Sequence, residues 1–466
     1  MRKFDEELVS GNIVWSVWKL AWPVTLLNLV NGLHGMVDHI LIGRYIASDD
    51  NAANAAIGVA WQVFLVIVVF IASLFHGMNV LISRYAGKQD RENMSRVAYD
   101  AFLLSLYILV FIVAPVGYVI APFLLDLVEA PPEVQVHALP YLRVLFACGA
   151  PLFLSFMFTG AFQASGDAKT PLVLGVLATF LNVGISAVLI TGMGPFPALG
   201  AVGAALGTVL SPLFTVSISI ALILRRKMLI LPPTEYRLVP DWTTVKVIAR
   251  IGIPTGIQGV LLNIGGTLIM RFLGAMEAGI AAPALAAYTI CYAQLFSLIT
   301  WTSFGLRAAA GTLMGQNIGA EKHARGKQAV GVAAAFGAGW ALLVGLIFWF
   351  FPAELLAVFG ADEGPIVEIG VSLLRYLTFS GVVIAVALAL TGGLQGAGET
   401  KLPMYIAFLT QIVVLLGICQ WYAWHQTLTP DKVWMAIFIS HSSRLLLTWL
   451  VFRTEKWTRI EVELEG

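Results

Sequence analysis

Thr159-Gly-Ala-Phe-Gln-Ala-Ser-Gly-Asp167-Ala-Lys-Thr-Pro171 returns 232 residues later as Thr391-Gly-Gly-Leu-Gln-Gly-Ala-Gly-Glu399-Thr-Lys-Leu-Pro403. Each copy closes one apolar run and opens the next. Glycine, an acidic residue, lysine and proline in that order predict a helix end, a tight turn and a helix start. Outward from this motif the duplication continues. Trp18-Lys19-Leu20-Ala21-Trp22-Pro23 parallels Ala249-Arg250-Ile251-Gly252-Ile253-Pro254 at an offset of 231, and Gly35 and Gly43 match Gly266 and Gly274 at the same offset. Ala86-Gly87-Lys88 parallels Ile318-Gly319-Ala320.

The chain has 466 residues, of which 59% are hydrophobic and 12% charged. Soluble domains carry about 25% charged residues, so this is the composition of a polytopic membrane protein. Apolar runs of about 20 residues are long enough to span a bilayer. They number twelve, near 15–43, 53–83, 97–124, 136–163, 170–192, 198–224, 246–273, 283–314, 328–352, 365–394, 402–426 and 432–453. Runs above about 25 residues imply tilt or extension past the bilayer. The expected fold is an all-α integral membrane protein with twelve transmembrane helices in two six-helix lobes. An even number of spans per repeat gives both lobes one topology, related by a pseudo-two-fold axis along the membrane normal. The lobes are residues 1–224 and 246–466, joined by a basic, proline-containing linker over 225–245 in which Asp241 is placed to cap the following helix.

Lysine and arginine concentrate in the loops of one side: Arg84, Lys88, Arg91 and Arg96; Arg225, Arg226, Lys227 and Arg237; Lys322, Arg325 and Lys327. The opposite loops hold only Arg44 and Lys432. This bias predicts a multi-pass protein of the cell membrane with both termini cytoplasmic. No signal peptide is read in the mixed-charge N-terminus, and the first span is expected to direct insertion. A net charge of +1 points to no nucleic acid partner, and Cys148, Cys291 and Cys419 are too dispersed to suggest disulfides or a metal site.

Asp38 is the acid that stands inside an apolar run, in Gly35-Met36-Val37-Asp38-His39-Ile40-Leu41-Ile42-Gly43. Charge at such depth is costly, so an intramembrane acid generally faces the protein interior and marks an ion or substrate path. Asn31, His34 and Asp38 fall on one helical face. An interfacial Asp38, one turn from Arg44, is the bland alternative. Span five adds a polar stripe of Thr179, Asn182 and Ser186, to be read either as ion ligands or as helix–helix hydrogen bonding. Gly203 and Gly207 have the spacing of close helix contact. At offset 231 Ile269 stands opposite Asp38, so the acid belongs to one lobe only. The second lobe is basic instead, with Arg271, Arg307, Arg375 and Arg444 in or beside its spans; the first also holds His76. The chain lacks a phosphate-binding loop of the G-x-x-x-x-G-K-[S/T] form and shows no nucleophile or metal-ligand motif. It is therefore read as no enzyme, and an ion gradient remains as the energy source.

In this order the residues resemble the multidrug and toxic compound extrusion (MATE) transporters. The resemblance rests on Leu20-Ala21-Trp22-Pro23, Val37-Asp38, Gly166-Asp167-Ala168-Lys169-Thr170-Pro171, Leu199-Gly200-Ala201-Val202-Gly203-Ala204-Ala205-Leu206-Gly207-Thr208, Gly252-Ile253-Pro254 and Gly398-Glu399-Thr400-Lys401. It implies a cofactor-free secondary transporter that exchanges a proton or sodium ion for a small organic substrate by alternating access, functional as a monomer in the bilayer. Asp38 would be the coupling carboxylate, with Asn31, His34, Tyr141, Asn182 and Thr208 lining the cavity near it. The residues read by themselves, apart from the resemblance, add Ser186 to the candidate ion site and His76, Arg307 and Arg271 to the candidate substrate path. Where such families carry further acids, this chain has Ser186, the Leu261-Leu262-Asn263 run and Ile384. These departures favour protonation of Asp38 alone. Competing readings are a flippase or exporter of lipid-linked or anionic metabolites from the same superfamily, and an uncoupled membrane pore.

Overall fold

The structure, a computed structural model, describes residues 3–45, 51–128, 130–195, 197–233, 235–460 and 462; side chains at 31–45, 51–55 and 278 lie outside that description. All regular structure among the described residues is helical. The long helices are α1 (Ile13–Tyr45), α2 (Asn51–Gly87) and α3 (Arg91–Leu127), then α4, a bent pair of Pro132–Cys148 and Ala150–Ala164. They continue as α5 (Lys169–Thr191), α6 (Ala201–Leu224), α7 (Trp242–Gly274), α8 (Gly279–Gly319) and α9 (His323–Phe350). Last come α10 (Pro365–Gly396), α11 (Lys401–Trp424) and α12 (Pro430–Arg453). Among the described residues eleven helices are long and apolar enough to cross a membrane, and α4 taken as one span makes twelve. The 53° bend of α4 falls at Gly149-Ala150-Pro151. Proline lacks the N–H that would continue the helix, and its ring crowds the preceding turn.

The repeated motif folds the same way twice. Gly166 and Gly398 have φ of 97° and 91°, left-handed values that glycine adopts without strain. The acid after each glycine caps the next helix: Thr170 N–H donates to Asp167 Oδ1 at 3.1 Å and Leu402 N–H to Glu399 Oε1 at 3.0 Å. These side chains satisfy donors that a helix start leaves open.

The chain divides into two compact units that do not follow the halves of the sequence. Unit 1 holds Met1–Asp5, Leu26–Gly256 and Val462–Gly466; unit 2 holds Glu6–Thr25 and Ile257–Glu461. So the first part of α1 packs in unit 2, and the first part of α7 packs in unit 1.

Within unit 1, α7 crosses α2 at paired glycines. A Cβ on Gly77 would lie 2.2 Å from the Ile248 carbonyl oxygen, and one on Gly252 would lie 2.6 Å from the Leu74 Cα. Phe64 of α2 meets Phe146 and Phe153, one from each arm of α4, at centroid distances of 5.4 and 5.8 Å. The linker is strapped to the start of α3. Asp100 is fully buried, and its Oδ1 accepts from the Asp241 N–H at 3.0 Å and from Arg237 Nη2 at 3.2 Å. Tyr99 donates to the Arg237 carbonyl and Ser95 Oγ accepts from the Leu231 N–H. Asp241 then caps α7 by accepting from the Thr243 N–H, and it pairs with Arg96.

Within unit 2, α10 is the central helix and is buried along most of its length. It touches α8 backbone to backbone: a Cβ on Gly392 would meet the Arg307 carbonyl oxygen at 2.2 Å, and one on Gly396 would meet that of Gly311 at 2.2 Å. Small residues four apart allow such an approach. The first part of α1 seats Thr25 against Gly305 and Trp18 against Phe336.

Candidate functional site

Asn31, His34, Asp38 and His39 belong to α1, whose helical backbone runs through them, but their side chains lie outside the described residues. The other residues singled out in the first half are placed. Asn182 and Ser186 sit one turn apart on α5, both fully buried. Asn182 Oδ1 and Nδ2 and Ser186 Oγ have no hydrogen-bond partner among the described residues. A buried polar group left unpaired costs about 1–3 kcal/mol, so three such atoms on one stripe call for an explanation. Helix α6 presses on this stripe: a Cβ on Gly207 would meet Ser186 Oγ at 2.1 Å, and one on Gly203 would meet the Leu189 backbone at 2.6 Å. The two glycines do bring the helices together, as their spacing predicts. Thr208, next to Gly207, is buried and donates to the Ala204 carbonyl at 3.1 Å. Thr179 likewise donates along its own helix, to Gly175 at 3.0 Å. Tyr141 is buried on the first arm of α4, and His76 is half-buried on α2.

Unit 2 sorts the four arginines. Arg271 is exposed in the last turn of α7, and Arg375 is exposed with its guanidinium over the Trp349 ring. Neither joins the polar core. Arg307 and Arg444 do. Arg307 donates from Nε and Nη2 to Gln395 Oε1 at 3.1 and 2.7 Å, and Gln395 Nε2 donates to Gln258 Oε1 at 2.8 Å. Arg444 is buried on α12 in electrostatic contact with Arg307, Tyr292 and His441. His441, one turn earlier, shares a hydrogen bond with Ser380 at 2.5 Å and stacks on Phe296. Tyr292 and Gln411 come from π-helical stretches, Thr289–Leu295 and Phe408–Leu416. Such widened turns recur at functional sites because they turn a side chain off its regular face.

Gln258, Gln395 and His441 were not singled out from the sequence. Gln395 had a signal: it is the glutamine of the repeated motif, the counterpart of Gln163. Its role came from the α8–α10 crossing, which brings Arg307 beside the turn that carries it.

The MatE family model matches residues 23–188 and 254–419, one match in each half of the duplication. The chain is 27% identical over 456 residues to the probable multidrug resistance protein NorM of Thermotoga maritima, covering 95% of this chain and 92% of that one. Its fold is similar to that of a multidrug resistance MATE family transporter of the MOP superfamily solved in an outward-facing conformation, with a TM-score of 0.88 at 21% identity over 99% of this chain and all of the other. It is equally similar to a MOP superfamily transporter of Pyrococcus furiosus described as having a binding pocket of reverse polarity, with a TM-score of 0.87 at 21% identity over 97% of this chain and 98% of the other. With both matches of the family model falling on the two copies of the repeat, the chain belongs to the MatE family, whose members are membrane transporters and not enzymes.

Proposed function

We propose that the protein is a secondary active exporter that exchanges a proton, or a sodium ion, for a small organic substrate. The observation that carries this reading is the stripe on α5, where buried Asn182 and Ser186 present three polar atoms without partners among the described residues. It lies in the same half of the sequence as Asp38, the acid set in an apolar run. An acid and polar oxygens held among apolar helices suit a site that gains and loses a cation in each cycle. In this mechanism Asp38 takes a proton from outside, α1 rearranges, substrate leaves, and the proton exits inward. The relatives' multidrug names support a drug-like or metabolite substrate. The protein acts as a monomer in the cell membrane, with both termini cytoplasmic and two six-helix lobes.

The test is efflux of an ethidium-like dye from loaded vesicles, first under a proton gradient and then under a sodium gradient. Wild type is expected to move dye with one gradient; Asp38→Asn is expected to lose at least nine-tenths of the rate, and Asn182→Ala to lose part of it. Equal transport by wild type and Asp38→Asn at matched expression refutes Asp38 as the coupling residue.

A further inference from the structure

The polar core of unit 2 is unusual in its balance: it is rich in donors and cations and poor in acceptors. Arg307 fixes its polarity. A guanidinium only donates, so the Gln395 atom facing it must be the carbonyl oxygen. The Gln395 amide nitrogen then faces Gln258, whose own oxygen must accept. This leaves the Gln258 amide nitrogen as the far end of the chain, and that atom is buried without a partner among the described residues. A second donor ends the same way: Arg444 is 3% exposed, and its Nη2 is buried without a partner. Neither arginine stands in an ion pair with a carboxylate among the described residues. Each guanidinium also feels the charge of the other. Two buried like charges without a carboxylate partner are a costly arrangement that an anion would relieve.

Depth agrees with this. Arg444 lies nine residues from the end of α12 at Arg453, or about 14 Å at ~1.5 Å per residue. Arg307 lies twelve residues from the end of α8 at Gly319, or about 18 Å on the same scale. Both therefore stand two or more turns inside their helices, away from the loops, as residues lining a substrate path between helices must. We propose that unit 2 contains an oxyanion-binding site in which Arg307, Arg444 and the Gln258 amide receive a carboxylate or phosphate group of the substrate, with Tyr292 beside Arg444 as a further donor. Planar guanidinium groups match both anions in bidentate fashion. The inference gives the exporter reading a substrate class, acidic or zwitterionic organic compounds, and rests on that reading for its physiological sense.

The test is binding to the purified full-length protein in detergent, by calorimetric titration with benzoate, inorganic phosphate, sodium chloride and tetraphenylphosphonium. At least one of the two oxyanions is expected to bind saturably, and which one separates carboxylate from phosphate recognition. Arg307→Gln and Arg444→Gln are each expected to weaken that binding more than tenfold, Arg444→Lys less than Arg444→Gln, and neither glutamine variant to move tetraphenylphosphonium binding more than twofold. Should the arginine variants lose their monodisperse elution, Gln258→Leu replaces them, with a severalfold loss expected. The inference is overturned if neither oxyanion saturates, if the variants that fold bind it as wild type does, or if chloride binds equally well. Gradient-driven dye efflux without oxyanion binding overturns this inference and leaves the exporter. Oxyanion binding with gradient-driven transport of neither dye nor that oxyanion leaves this inference and overturns the exporter.

Discussion

Replacing Asp100 by alanine should release the segment between the two repeats from α3. Asp100 Oδ1 holds two donors there, the Asp241 N–H at 3.0 Å and Arg237 Nη2 at 3.2 Å. Hydrogen bonds to a charged group contribute about 1.5–3 kcal/mol each. Arg237 is 37% exposed, so its share is discounted for screening by solvent. A net loss of about 2–3 kcal/mol follows, or roughly 30- to 150-fold in the open population. Because cleavage by a protease tracks the open population when reclosing is fast, trypsin cutting after Arg237 is the assay. Cutting after exposed Arg225, Arg226 and Lys227 serves as the internal reference, which the substitution should not change. Asp100→Asn keeps an oxygen for the Asp241 N–H and loses only the charge, so it should cost about 1 kcal/mol, a fivefold change. Cleavage after Arg237 at the wild-type rate in Asp100→Ala would show that the strap is held by something other than this carboxylate, and the reasoning would fail.

The same strap should loosen in acid. The Thr243 N–H, with Arg96 beside it, holds the Asp241 carboxyl below its ordinary value of 3.8. A depressed folded-state pKa gives stability that is present above the unfolded value and is lost as pH falls through the folded one. Hydrogen exchange over 241–246, corrected for intrinsic rates, should therefore speed up below about pH 3.8, and Arg96→Gln should shrink the step. Where α5 meets α6, Gly203→Ala would push a methyl into the Leu189 backbone, and such overpacking costs about 1–3 kcal/mol. Gly184→Ala on α5 meets nothing within 4 Å. Thermal unfolding in detergent should separate the two, with Gly203→Ala melting lower and Gly184→Ala at or above wild type; equal melting would refute the close contact.

Much of this architecture is visible in one dimension because a bilayer demands long apolar helices, and turns between them need glycine and a cap. Gly166-Asp167 and Gly398-Glu399 show it: the residues that mark the repeat are those that build its turn. The close α5–α6 contact was legible in the same way, from Gly203 and Gly207. The site was less so. Arg307 and Arg444 are visible as charges in apolar runs, and Arg271 is set apart by its place beside Gly274 at a helix end, yet nothing along the chain distinguishes Arg444 from Arg375, which is exposed. What separates them is which face of each helix meets α10, and that depends on crossings between helices far apart in sequence. Gln258 looks like an ordinary polar residue until Gln395 is opposite it. The linker was read from its prolines as a connection, and its anchorage hangs on Asp100, an acid of α3 more than a hundred residues away.

The membership of Glu6–Thr25 in unit 2 also sets an order of events. The contacts of this stretch are with Gly305, Asn317, Lys322, Arg325 and Phe336. At roughly 5–20 residues per second, a ribosome needs about 15–60 s to travel from Trp18 to Phe336. The first part of α1 is thus completed late, whereas its later part, from Leu26, belongs to unit 1 and brings Leu27 against Gly175 much sooner. Until Gly305 and Phe336 emerge, the stretch around Trp18 is held in lipid by its own hydropathy. A nascent chain interrupted before Gly305 leaves α1 packed at one end only.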